Sequence, residues 1–105
     1  MSYNLPLSEQ YAIAAAQWGD AEAAASLLED LKSAVLAEMM GKQGDIAINR
    51  AEQQVKASPE WREHVQKIVE ARQAANHCKV HLEWIRMRHQ EWLSQEANNR
   101  IEAKL

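Results

Sequence analysis

For forty-six residues after Pro59 the sequence contains no glycine and no proline. These two residues interrupt helices most strongly, costing roughly 1 and roughly 3 kcal/mol relative to alanine. A stretch this long without either reads as one unbroken helix. The rest of the chain supports that reading. It holds three glycines, two prolines and eighteen alanines, so turn formers are scarce and helix formers abundant.

The few breakers therefore place the boundaries. Pro6 stands where a first helical turn tolerates proline. Gly41 and Gly44 bracket a reversal. Ser58-Pro59-Glu60 reads as the N-cap and first two positions of a new helix. Three helices are predicted, over 7–40, 45–56 and 59–104, with Asp45 as the N-cap of the second. Gly19 falls inside the first and marks a candidate kink.

The apolar spacing predicts how the long helices pair. In the third helix, Trp61 and then Ile68, Ala71, Ala75, Cys78, Leu82, Ile85, His89 and Trp92 form a seam that repeats every 3.5 residues, the left-handed coiled-coil period. Ala14, Trp18, Ala21, Ala25, Leu28, Val35 and Met39 give the first helix a matching stripe, with Leu31 beside it. The alanines allow close approach. Ile46, Ile48 and Val55 of the short helix would cap the open end. The expected fold is all-α: a single domain built as a long helical hairpin with coiled-coil character, a short connecting helix and an oligomeric state.

The third helix carries a second face. On a wheel of about 100° per residue, Ile85, His89 and Cys78 lie within about 60° of Leu82, whereas Val80, Trp84 and Met87 lie about 140–200° away. One hairpin partner cannot cover both sides. The second patch either packs against another copy, giving a dimer, or docks a different protein. The expected partner-binding residues are Val80, His81, Trp84, Met87 and Arg88, with Trp92 near their edge.

Charge and motifs narrow the chemistry. Residues 1–57 carry four basic and eight acidic residues; residues 58–105 carry eight and seven, with all four histidines. Opposite signs favour antiparallel pairing of the long helices. The basic and aromatic stripe His77, His81, Trp84 and Arg88 could meet single-stranded DNA, but interleaved carboxylates disfavour it. His77 and His81 supply half a helical metal site and lack a second pair, so no metal is assigned. Ser26, Ser33 and Ser58 have no oriented base, and no glycine-rich phosphate loop is present, so neither catalysis nor a cofactor is expected. A single cysteine, no leader-like start and no apolar run of membrane-spanning length fit a cytoplasmic protein without membrane contact.

The third helix also carries a resemblance. The stretch from Ala57 to Val65 is followed by Val69 to Asn76, then Ile85-Arg86-Met87-Arg88, then Glu91-Trp92-Leu93-Ser94 and the tail Glu96 to Leu105. Together these resemble small helical proteins encoded by tailed phages and prophages, often in early regions that carry recombination and single-strand-annealing functions. The group tends to read Arg-Phe-Glu-x-Trp-Arg where this chain has Arg88-His89-Gln90-Glu91-Trp92-Leu93. The resemblance implies a non-enzymatic phage accessory protein in the bacterial host cytoplasm. It would bind a host or phage protein in DNA recombination or replication. Two other readings stay open. One is an inhibitor of a host enzyme or defence complex, acting through Glu22, Glu29, Asp30 and Glu38. The other is a purely structural oligomerisation module.

Overall fold

The structure, a computed structural model, describes residues 4–104; residues 1–3 and Leu105, the last residue of the tail quoted above, lie outside. Three helices follow one another: α1 (Leu7–Gly41), α2 (Ile48–Lys56) and α3 (Pro59–Lys104). The expected all-α hairpin with a short connecting helix is the observed architecture. Both long helices match their predicted limits to within a residue.

Each start has a local cause. Pro6 precedes α1, and its carbonyl accepts from the Glu9 and Gln10 amides. The buried Gln10 side chain donates from Nε2 to the Leu5 carbonyl at 2.7 Å, tying the entering chain to the helix. At α3 the Ser58 hydroxyl accepts from the Trp61 amide at 3.3 Å, the bond expected of an N-cap. The same hydroxyl donates to the Val55 carbonyl at 2.6 Å. Between the helices, Gly44 adopts φ +86°, a left-handed conformation that other residues enter only with strain.

Two expectations for α2 are corrected. The helix begins at Ile48 rather than Asp45, its N-cap position is Ala47, and no side chain caps it. Ile48 is 75 % exposed and covers nothing. The inward face of α2 is Ala51 and Val55, four residues apart on one side of the helix. Ile46, in the connection, is half-buried.

Gly19 does not break α1, which continues through it. A β-carbon at Gly19 would meet nothing within 4 Å. Gly19→Ala should therefore raise the unfolding free energy by about 0.5–1 kcal/mol, because it removes backbone freedom from the unfolded chain without a clash. Thermal unfolding followed by circular dichroism reads the gain, and a lower midpoint would refute it.

The chain divides into two compact units. One comprises residues 21–75. Its buried residues are Ala25, Ala51, Val55, Trp61, Ile68 and Ala75. Here the antiparallel pairing is pinned by Arg72 of α3. Its guanidinium donates to Glu22 Oε2 at 2.6 Å and to both Glu29 oxygens, at 2.6 and 3.0 Å. The bond from Arg72 holds the Glu29 carboxyl below its ordinary pKa, and the two carboxylates raise that of Arg72.

The other unit comprises residues up to 20 together with residues from 76 onward. Its core is Ala14, Leu82 and Ile85, with Ala15 and Trp18 packed against them. The predicted seam is buried or half-buried from Trp61 through Ile85. It opens at His89 and Trp92, which are exposed. Tyr11, in the second turn of α1, already lies opposite Arg86. The antiparallel register therefore exhausts α1 a few residues further along α3, and the rest of α3 continues without a partner helix. Among the described residues, no helix is long and apolar enough to cross a membrane.

Candidate functional site

Two surfaces of the second unit carry the residues singled out above. The first is the outer face of α3. Val80, Trp84 and Met87 are exposed there, and Trp84 keeps 43 % of its surface in solvent. Helical spacing places His81 one turn before Trp84 and Arg88 one turn after it. The two side chains close on the indole. The imidazole of His81 stacks at 5.8 Å with a 24° tilt, and the Arg88 guanidinium carbon lies 4.9 Å from the ring centroid. Arg88 Nη1 is buried against this surface with no hydrogen-bond partner. A cation packed on an aromatic face is worth about 0.5–2 kcal/mol, depending on how dry it is. The cluster is thus partly ordered in advance, which lowers the entropy lost when a partner arrives.

The arrangement favours some ligands over others. A base that stacks on tryptophan needs an open indole face. In this cluster His81 and Arg88 already lie against Trp84, so a stacking base would have to compete with them for the ring. An apolar protein surface with a hydrogen-bond acceptor for the indole N–H suits such a cluster better than a strand of DNA. Val80 and Met87 extend the apolar area beside it.

Trp92 belongs to the second surface. It stacks with His89 at 6.1 Å and 19° on the side of α3 where the seam opens. With Ile85 and Arg86, the two line a groove of about 670 Å³, closed on the other side by Leu7, Ser8 and Tyr11 of α1. Arg86 donates to the Tyr11 hydroxyl at 3.4 Å, and this bond raises the Arg86 pKa above its ordinary value. The sequence reading missed the groove. Its signal was present: a seam that outlasts its partner helix must leave the last seam residues uncovered.

His77 and His81 are both exposed on α3, and Cys78 is half-buried on a different side. Among the described residues, no group of three or more His, Cys, Asp or Glu side chains converges to hold a metal ion. No family model, no curated protein and no solved structure matches the chain.

Proposed function

We propose that this chain is a non-enzymatic phage or prophage accessory protein that binds another protein through the outer face of α3, in DNA recombination or replication in the host cytoplasm. The observation that carries the reading is the His81–Trp84–Arg88 cluster, with His81 and Trp84 exposed, Arg88 half-buried against the indole, and Val80 and Met87 exposed beside it. Tryptophan and arginine dominate the energetics of protein interfaces, and a preassembled pair of them on an apolar face has no role inside the hairpin. The resemblance of α3 to phage-encoded helical proteins supplies the biological setting.

The alternative of a nucleic-acid mimic needs free carboxylates on α1. Arg72 takes up Glu22 and Glu29 within the chain, leaving Asp30 and Glu38 of the four. That weakens the mimic reading.

Affinity capture from phage-infected cells tests the proposal. The wild-type chain should retain a protein partner, and the double variant Trp84→Ala, Arg88→Ala should bind it at least about 30-fold more weakly, the loss expected of one hot-spot contact. Unchanged capture by the double variant would refute the surface assignment. A steeply salt-dependent affinity of the wild type for a single-stranded oligonucleotide would move the proposal to DNA.

A further inference from the structure

The groove at the start of α1 is separate from the outer face of α3 and combines apolar walls with one cation. Leu7, Ile85 and Trp92 give it apolar walls, and Arg86 gives it one full positive charge. The partner of Arg86 is neutral, the Tyr11 hydroxyl. Glu83, one turn earlier, acts on it only through space, and no described carboxylate lies within ion-pair distance of Arg86. Arg72, by contrast, is clamped by two carboxylates. The groove therefore suits a helix that presents large apolar side chains together with a carboxylate.

The chain itself carries such a helix face. Leu27, Asp30, Leu31, Ala34 and Glu38 of α1 fall at i, i+3, i+4, i+7 and i+11, the spacing of one helical stripe. Leu27 is 59 % and Leu31 45 % exposed. Neither Asp30 nor Glu38 has an ion-pair partner among the described residues. Groove and stripe are complementary in both polarity and charge.

We infer that the protein self-associates, with the Leu27–Leu31 stripe of a second copy seated in the groove and its Asp30 facing Arg86. The two leucines would fill the space between Ile85 and Trp92. One contact of this length falls short of the roughly 1,200–2,000 Å² that stable complexes bury, so each contact is weak and the association reversible.

Sedimentation velocity of the full chain across the micromolar range tests this. The wild type should shift to larger species as concentration rises. Arg86→Glu and Asp30→Arg should each weaken association at least about tenfold, because each sets like charges against one another. Both positions are exposed on helices, and circular dichroism should show unchanged helicity. An equimolar mixture of the two variants should associate again, since each copy then finds an opposite charge on the other. The Trp84→Ala, Arg88→Ala variant should self-associate like the wild type, which separates this contact from the outer face. A monomer at every concentration, association indifferent to both charge reversals, or a mixture that fails to recover would overturn the inference.

Discussion

Ile85→Ala should lower the unfolding free energy by about 2–5 kcal/mol, the range for deleting a buried isoleucine where the surroundings collapse only partly. Ile85 is 2 % exposed and, among the described residues, forms the core of its unit with Ala14 and Leu82, with Ala15 and Trp18 at the margin. Two of those four neighbours are alanines, which have no side-chain reach with which to fill a hole. The loss should therefore fall toward the upper half of the range. Each kcal/mol moves the melting temperature of a chain this size by about 4–8 °C, so calorimetry should show a drop well beyond about 10 °C. A change of less than about 1 kcal/mol would mean that the seam does not hold this unit together. Because Ile85 also lines the groove, the same substitution should weaken self-association.

Ala75→Leu should destabilise by about 1–3 kcal/mol or more, for the opposite reason. Ala75 and Ala25 are both completely buried. They lie on seam positions of antiparallel helices, where a small side chain sets how closely the backbones approach. Three added carbon atoms have no cavity to enter, so the helices must separate or the side chain must leave its rotamer. Ala74→Leu, one residue away on the exposed side of α3, provides the control. It should change stability by less than about 0.5 kcal/mol. Chemical denaturation of the two variants gives the comparison directly. Equal midpoints would refute close packing at the alanine positions.

Much of this fold is legible in local pattern. Proline and glycine positions locate both ends of α1 and the start of α3, because the capping chemistry at Ser58 and the reversal at Gly44 are properties of a few adjacent residues. The 3.5-residue seam identifies the inward face from Trp61 to Ile85, because burial in a helical pair follows periodicity. The start of α2 differs because Asp45 is a good capping residue by type, whereas the structure begins the helix at Ile48, turns Ala51 and Val55 inward and leaves Asp45 in the connection. The exposure of His89 and Trp92 could not be read from α3 alone. It depends on the register that sets Tyr11 against Arg86, a relation between residues 75 positions apart. The outer cluster was visible as a face of the wheel. Its internal order, with Arg88 packed on Trp84, comes from rotamers that no spacing rule specifies.

The unbroken run that forms α3 has a consequence for folding entropy. The clamp between Arg72 and Glu29 closes a loop of 43 residues, and the bond between Arg86 and Tyr11 closes one of 75. Closure entropy grows only with the logarithm of loop length, so the outer contact costs only about 0.5 kcal/mol more than the inner one. Once the turn around Gly44 and α2 has formed, each further heptad along the pair adds contacts against an almost constant loop-closure penalty, and only the cost of ordering its own residues, roughly 1–2 kcal/mol each, grows with length. Arm length in this architecture is thus nearly unconstrained by chain statistics. Selection can set where α1 begins, and so how much of the α3 seam is left bare, with little effect on whether the hairpin closes.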